Sequence, residues 1–493
     1  MPELRINGLP AKVDEGATVL DAAELVFVDI PTLCHMKGCE PETSCMLCVV
    51  KNVATGQLIP ACSAKAVDGM EIDTECAEVQ SARRDILNLL LSEHVGDCEA
   101  PCTRICPAHL DIPLMLRAIE HGNLESAAWI AKRDLAIPAT LGHVCPAPCE
   151  KGCRRAQVDE AITIRDLHRE VTEGSTEGSV LCFNVFSEKH HFIGLTPKSM
   201  TPKSKSVAVI GSGPAGLSCA WKLIQLGYGC TVFDEAPKAG GVLREHNSLP
   251  MDVLDDEVDW LAQAGVEFSL GAPISMHEAA DGFDGIVFAE TEFSGTHFAD
   301  AFYAEEHKLA VKAVANGKAA AVAVDRFLKG EPPSNKEPFD SKTGKLRESE
   351  VQELTKNCAT VEQAGMPAPQ AEAARCLHCD CRKAVSCKLR KYATQYGANQ
   401  REFPADERGH VQLIGHDEAV VFEPGKCIKC GLCVKITKRA GEELGVTFVG
   451  RGYNTRVAVP FEEALQDGLR EAATECVEAC PTGALAFRNV EER

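Results

Sequence analysis

The sequence predicts a multidomain chain in which α+β modules flank a reduced α/β unit of Rossmann type. Three observations predict it. The 493 residues exceed a single module and suit three or four domains at about 100 to 200 residues each. Most of the 25 cysteines fall into separate groups, many with two or three residues between neighbours, which is the spacing of ligands and not of a dispersed core. From Ser206 an apolar strand runs into a Gly-x-Gly-x-x-Gly turn, a helix and a second strand that ends in acid.

Composition narrows the possibilities. Hydrophobic residues make up 45% and charged residues 25%, so the chain can bury real cores. Fifty-one Lys+Arg against 72 Asp+Glu leave a net charge of -21, which repels a phosphate backbone and argues against nucleic acid as a partner. No stretch approaches the ~20 apolar residues of a membrane span, and MPELRINGLPAKVDEG lacks the pattern of an export signal. A cytoplasmic protein is expected. In that reducing setting this many cysteines are metal ligands before they are disulfides.

Taken in order, ELRING and AKV alternate like a hairpin and TVLDAAELV turns helical from Thr18, which suits a small α+β module over 1–80. Cys34, Cys45, Cys48 and Cys62 follow C-x10-C-x2-C-x13-C, and four thiolates from one region suit a 2Fe-2S cluster. Cys39 falls outside that spacing and reads as a bystander. Four cysteines also suit a zinc knuckle. The stretch IPTLC before the first ligand, with ACS and DGM around and after the last, resembles the N-terminal ferredoxin domain of the large peripheral iron-sulfur subunit of complex I and of iron-only hydrogenases.

Ser81 is placed to cap the amphipathic run ARRDILNLLLSEH, which carries His94 towards the next cysteines and opens a helical domain over 81–173. Cys98, Cys102 and Cys106, then Cys145, Cys149 and Cys153, recur every fourth residue and offer six thiolates. GDCEAPCTRICPAHLDIP and LGHVCPAPCEKGCRR resemble the helical domain of the glutamate synthase small subunit and dihydropyrimidine dehydrogenase, which folds around two 4Fe-4S clusters. That resemblance implies Cys98, Cys102 and Cys153 on one cluster and Cys106, Cys145 and Cys149 on the other, each one ligand short. His94 opens a His-x3-Cys start that resembles another complex I cluster, and His168 matches the relatives' non-cysteine ligand. A lone histidine is more often structural, which is the alternative for both.

Residues 174–205, with a duplicated TPKS, read as a linker. The glycine-rich unit over 206–330 follows. Gly211 permits the tight turn, Gly213 lets a pyrophosphate approach, Gly216 lets helix pack on strand, and Asp234 is placed for a ribose hydroxyl. The segment resembles the FAD-binding half of the glutamate synthase small subunit, which implies a cofactor site of Gly211, Ser212, Gly213, Pro214, Ala215, Gly216, Asp234, Glu235, Gly240, Gly241 and Leu243. The relatives' NADPH insert has no room here, and their Ala-Thr-Gly has become Ala289-Glu290-Thr291. FAD is therefore expected, with an empty remnant as the alternative, and no NAD(P) on this chain.

Residues 331–400 read as a second linker carrying Cys376, Cys379, Cys381 and Cys387, a four-cysteine group for a 4Fe-4S cluster or zinc. Over 401–493, Cys427, Cys430 and Cys433 with a distant Cys480-Pro481 form the bacterial ferredoxin arrangement. Thr437 stands where a two-cluster ferredoxin carries another cysteine, so one cluster is expected, and GVTFVGRGYNTRVAVPFEEAL again resembles the complex I and hydrogenase family.

Together the resemblances imply a β-grasp 2Fe-2S ferredoxin domain, a helical double-cluster domain, a reduced Rossmann-like FAD-binding domain and a bacterial-ferredoxin-like end. They imply one 2Fe-2S cluster, three to four 4Fe-4S clusters and FAD. Clusters pass single electrons and a flavin exchanges one or two. The expectation is an electron-transfer subunit of a larger cytoplasmic oxidoreductase. It would relay electrons between an NAD(P)H-binding flavoprotein partner and a second catalytic subunit of hydrogenase or formate dehydrogenase type, with the FAD a relay or a point of electron bifurcation. No residue stands out as catalytic for an organic substrate. The alternatives are a self-sufficient FAD/iron-sulfur oxidoreductase like the glutamate synthase small subunit, and a zinc-stabilised scaffold.

Overall fold

The computed structural model describes residues 1–173, 205–274, 279, 281–289, 301–333, 337–356, 358, 368–403, 409–415 and 419–488. Most of the first linker, with its TPKS repeat, and Glu290 and Thr291 lie outside the described residues. The segments expected from the sequence close into two discontinuous units. One comprises Met1–Glu99, Lys336–Asn357 and Cys379–Val490, and the other Ala100–Asn335, Cys358–His378 and Glu491–Arg493.

In the first unit, β1 (Glu3–Ile6) and β2 (Leu9–Lys12) form an antiparallel hairpin. Its Asn7-Gly8 turn has φ of 48° and 79°, the left-handed pair that a two-residue hairpin needs. Helix α1 (Val19–Leu25) starts at Thr18, whose side chain and that of Asp21 cap each other's backbone. With β3 (Val49–Asn52), β4 (Leu58–Pro60) and β5 (Glu71–Asp73) the sheet runs β2-β1-β5-β3-β4. Leu4, Ile6, Val19, Leu20, Val50 and Ile72 fill the space between sheet and α1.

Helix α2 (Ala77–Ser92) begins four residues before Ser81, with Cys76 at its N-cap, so Ser81 lies inside the helix and does not cap it. The Asp73 carboxylate, accepting from the Glu75 and Cys76 amides, turns the chain early. The buried stripe Val79, Arg83, Leu87 and Leu91 faces inward. Arg83 is fully buried and donates to the Val49 carbonyl and the Tyr396 hydroxyl, each at 3.0 Å.

The second unit opens with helices α3 (Pro101–Ile105), α4 (Ile112–Glu120), α5 (Leu124–Leu135), α6 (Pro138–Val144), α7 (Pro148–Lys151) and α8 (Ile164–Thr172). Asp111 and Asn123 cap α4 and α5 through their side chains. The α/β part follows as β6 (Ser206–Ile210), α9 (Pro214–Gln225), β7 (Gly229–Asp234), α10 (Met251–Gln263), β8 (Val266–Leu270), β9 (Gly285–Phe288), β10 (Ala301–Tyr303) and α11 (Ala310–Lys329). Its sheet is parallel throughout, in the order β10-β9-β6-β7-β8.

The helical and α/β parts, read separately from sequence, belong to one unit because their tryptophans interlock. Trp221 of α9 meets Trp129 of α5 and Trp260 of α10 edge-on, with centroids 6.4 and 4.8 Å apart. Its indole N–H donates to the Lys132 carbonyl at 2.8 Å.

The second unit is completed by α12 (Ala368–Ala373). The first resumes with α13 (Lys388–Tyr396), β11 (Val420–Phe422), α14 (Leu432–Ala440), the hairpin β12 (Thr447–Val449) and β13 (Arg456–Ala458), α15 (Ala473–Ala479) and β14 (Leu485–Phe487). Among the described residues, no helix is long and apolar enough to cross a membrane.

Candidate metal centres and dinucleotide cradle

The loop between α1 and β3 turns two thiols inward by taking left-handed backbone at Thr43 and Met46, φ 52° and 54°. Cys34, Cys45, Cys48 and Cys62 are all buried. Their sulfurs pair two by two. The Cys45 thiol donates to Cys34 and, with amides of Cys45 and Ser44, pulls the Cys34 pKa down to about 5. The Cys62 thiol likewise lowers Cys48 to about 7, against the effect of burial. Two pairs are what two sulfide-bridged irons require, one pair per iron. One tetrahedral zinc instead needs four thiolates around one point. Cys39 lies apart, its sulfur 3.9 Å from Arg439.

At the other end of this unit, Cys427, Cys430 and Cys433 lead into α14, and Cys480 is the C-cap of α15. The four line one cavity, walled by Phe422, Ile428, Val457 and Leu485. Burial pushes Cys427 up to about 11 and Cys430 to about 12, while the amides of Lys429 and Leu432 favour their thiolates. Such N–H donors stabilise a cluster's sulfurs. Thr437 is buried, and its hydroxyl donates to the Cys433 carbonyl at 3.0 Å, a helix-interior role where a second cluster would need a ligand. Cys476 reaches the same carbonyl through its sulfur, 3.8 Å away.

The third group is divided between the two units. Cys376, Cys379, Cys381 and Cys387 do not stay together: Cys376 falls in the second unit and the other three in the first. The Cys381 amide donates to the Cys98 carbonyl at 3.2 Å, and a Cys381 thiolate raises the pKa of both Cys98 and Cys387. Cys98 lies in the first unit, and the chain passes into the second after Glu99. The amides of Ser341 and Arg390 donate to the sulfurs of Cys98 and Cys387, each at 3.4 Å.

His94 shares this neighbourhood. Burial lowers its pKa to about 4, with the Lys426 ammonium adding to the effect, so the ring is neutral, and its Nδ1 has no hydrogen-bond partner. Lys426 is itself buried and paired to Glu423 at 2.8 Å. A Cβ on Gly483 would overlap the Cys381 sulfur, and one on Gly96 would overlap the Lys426 stem, so both glycines let backbone close around the centre. Three thiols, an orphaned imidazole nitrogen and inward amides fit a 4Fe-4S ligand set.

In the second unit Cys106, Cys145 and Cys149 do gather. Burial raises Cys149 first, and the Cys106 and Cys145 thiolates raise it further. Amides of Leu110, Ala108 and His109 point at the Cys106 sulfur. Cys102 sits one turn before Cys106 on α3, and Cys153 follows Gly152, which is packed against Ile105 so closely that a Cβ there would overlap it.

Cys376 is tied to the same region. Arg375 donates to Asp159 at 3.0 Å and to the Glu160 carbonyl at 2.8 Å, and Arg155 donates to the Arg375 carbonyl at 2.9 Å. Cys379 begins the stretch that returns to the first unit. His168 is buried; the Pro138 carbonyl accepts from its ring, and Nδ1 has no partner. A carbonyl on one nitrogen with the other free is how a liganding histidine is held.

The glycine-rich turn has the backbone that sequence predicts. Gly211 has φ of 107°, a Cβ there would overlap the Ala289 carbonyl, and one on Gly216 would overlap the Gly211 carbonyl. Pro214 is the first residue of α9, and Leu243 is buried beneath the Gly240-Gly241 turn, whose Gly240 amide donates to the Ser212 carbonyl at 2.9 Å. Asp234 lies at the end of β7, but its carboxylate turns onto the loop. It accepts from the Ser212 amide and hydroxyl at 2.7 and 2.6 Å and from the Ala236 amide at 2.8 Å. Glu235 is exposed.

A residue that sequence reasoning missed completes the cradle. Glu306 Oε1 accepts from the Ala215 amide at 2.9 Å, and burial lifts its carboxyl to about 7. The glycines fit a dinucleotide, while these two carboxylates engage donors such a ligand uses. The signal for Glu306 was the acid pair Glu305-Glu306 ahead of α11.

Fold and sites define an iron-sulfur protein with 2Fe-2S, 4Fe-4S and Rossmann-like parts, and the comparisons agree. Residues 2–76 match the 2Fe-2S iron-sulfur cluster binding domain, 91–180 the dihydropyrimidine dehydrogenase domain II, 4Fe-4S cluster, and 209–272 the NAD(P)-binding Rossmann-like domain. The last match corrects the expectation of no NAD(P) on this chain: the unit read as flavin-specific belongs to a fold that also serves nicotinamide cofactors.

Among its homologues, NADP(+)-dependent formate dehydrogenase subunit beta of Moorella thermoacetica is 37% identical over 205 residues, 38% of this chain and 29% of that protein. NADPH-Fe(3+) oxidoreductase subunit beta of Geobacter sulfurreducens is 32% identical over 199 residues, 38% of this chain and 28% of that one. The glutamate synthase [NADPH] small chain of Bacillus subtilis is 29% identical over 208 residues, 39% and 40% of the two chains. The similarity thus spans well under two thirds of these relatives.

Proposed function

We propose that this chain is an electron-transfer subunit of a larger cytoplasmic oxidoreductase. It carries electrons between a partner that oxidises NAD(P)H and a second catalytic subunit, of formate dehydrogenase or hydrogenase type. The single observation that carries the reading is one packed core in the first unit. Cys34 and Cys45 of the paired site, Cys387 of the His94 site and Cys430 of the C-terminal site share it with Leu33, Leu87 and Tyr392. A Cys34 thiolate raises the pKa of Cys430, and a Cys480 thiolate raises that of Cys387, so the three centres are close enough to feel one another's charge. Bound there, clusters supply one-electron carriers; the protein contributes spacing, donated N–H groups and exclusion of water.

The ligand sets we assign are Cys34, Cys45, Cys48 and Cys62 for a 2Fe-2S cluster, and Cys427, Cys430, Cys433 and Cys480 for a 4Fe-4S cluster. His94, Cys98, Cys381 and Cys387 form a second 4Fe-4S set. Cys106, Cys145 and Cys149 with His168 form a third, and Cys102, Cys153 and Cys376 supply three thiolates of a fourth. The α/β part is a site for an adenine dinucleotide, FAD by resemblance. A second reading, a self-sufficient oxidoreductase, is favoured by the match of residues 209–272 to an NAD(P)-binding family.

Anaerobic purification from the native cell tests both readings. Co-purifying oxidoreductase subunits, with the isolated chain inert to NADPH but reducible by dithionite, support the relay. Rapid NADPH-dependent dye reduction by the chain alone supports the second reading.

A further inference from the structure

We infer that the Glu306 carboxyl is an internal plug seated where the glycine-rich turn receives a pyrophosphate, so that an adenine dinucleotide enters this chain only by displacing it. The inference rests on reading β6 and α9 as a dinucleotide unit.

Helix α9 is twelve residues long, and its N-terminus presents unpaired amides and a positive dipole end. Pro214 has no N–H, so Ala215 supplies the first helical donor, and it is bonded to Glu306 Oε1 at 2.9 Å. The glycine whose missing side chain lets a pyrophosphate approach is Gly213. A Cβ there would overlap Glu306 Oε1, so that clearance is taken by the carboxylate.

Glu306 is 9% exposed, and its Oε2 is buried with no hydrogen-bond partner. Burying this carboxyl is unfavourable for the chain, and the group fills the clearance a pyrophosphate would need. The backbone just before it is held: the Ala304 amide donates to the Phe288 carbonyl at 2.8 Å, and Asn316 donates to the Glu305 carbonyl at 2.7 Å. Withdrawal is therefore a side-chain movement and does not require the strand to shift.

The test titrates the anaerobically purified full chain with FAD and, separately, with NADPH, comparing it with Glu306→Gln and Glu306→Asp. The first variant removes the charge at constant length and the second shortens the reach while keeping the acid. We expect both variants to bind one of the two nucleotides at least ~10-fold more tightly than the natural chain, the tighter nucleotide naming the ligand. Tryptophan fluorescence, which reports the Trp129, Trp221 and Trp260 cluster, checks that each variant is folded. Unchanged or weaker binding in the folded variants overturns the inference and leaves the dinucleotide reading standing. No binding of either nucleotide to any of the three proteins overturns both.

Discussion

Cysteines far apart in sequence provide the sharpest test of the regrouped centre. Cys98 and Cys381 are joined through backbone, Cys381 amide to Cys98 carbonyl at 3.2 Å, and a Cys381 thiolate raises the Cys98 pKa. If both ligate one 4Fe-4S cluster, Cys98→Ala alone and Cys381→Ala alone each remove about four irons per chain, and the double variant also removes about four. The same Cys98→Ala combined with Cys145→Ala removes about eight, because Cys145 belongs to the set with Cys106 and Cys149.

Iron and acid-labile sulfide per folded chain give the count, and EPR of the dithionite-reduced protein shows whether the same signal disappears in each case. An additive loss in the Cys98/Cys381 double variant, or a Cys376→Ala variant that removes the same signal as Cys381→Ala, would refute the regrouping and restore the contiguous four-cysteine set.

Three further outcomes are expected. Lys426→Met removes a buried positive charge next to Cys381 and should lower the midpoint of that cluster by on the order of 100 mV in a potentiometric EPR titration, the equivalent of about 2.4 kcal/mol for unit charges roughly 7 Å apart at an effective dielectric near 20. Gly216→Ala places a methyl on the Gly211 carbonyl, backbone against backbone, and should cost at least about 1–3 kcal/mol in urea unfolding of the second unit followed by tryptophan fluorescence. Glu257 accepts from the Ala139 and Thr140 amides at the start of α6 at 2.7 and 2.8 Å, and burial raises its carboxyl from 4.5 to about 7. The folded chain thus retains a proton that the unfolded chain releases, so this contribution to stability is present below about pH 4.5 and fades as pH rises through about 7, and Glu257→Gln should flatten that slope in the same urea assay.

What could be read from sequence was local. The paired-thiol site and the C-terminal site each draw three cysteines from one short run, so spacing alone brings them together. Asn7-Gly8, the Thr18 cap and the glycine-rich turn are likewise decided within a few residues. The division of the third group was not legible, because neighbours in sequence need not share a unit: the chain leaves the first unit after Glu99, returns over Lys336–Asn357 and returns again from Cys379, so Cys376 falls in one unit and Cys381 in the other. Glu306 was illegible for a related reason, since its reach to Ala215 spans 91 residues and depends on how β10 docks beside β9. Ser81 shows the limit of cap reading: a serine before an apolar stripe is a start signal only if nothing earlier turns the chain, and here Asp73 does.

The account stands or falls on whether these thiols hold electron carriers. Anaerobic redox titration of the full chain, followed by EPR with iron and sulfide quantified on the same sample, tests that most directly. The account predicts a reversible 2Fe-2S signal together with several 4Fe-4S signals, some broadened by mutual coupling within the first unit. A folded, colourless protein that carries zinc, or no metal, and takes up no electrons would contradict it.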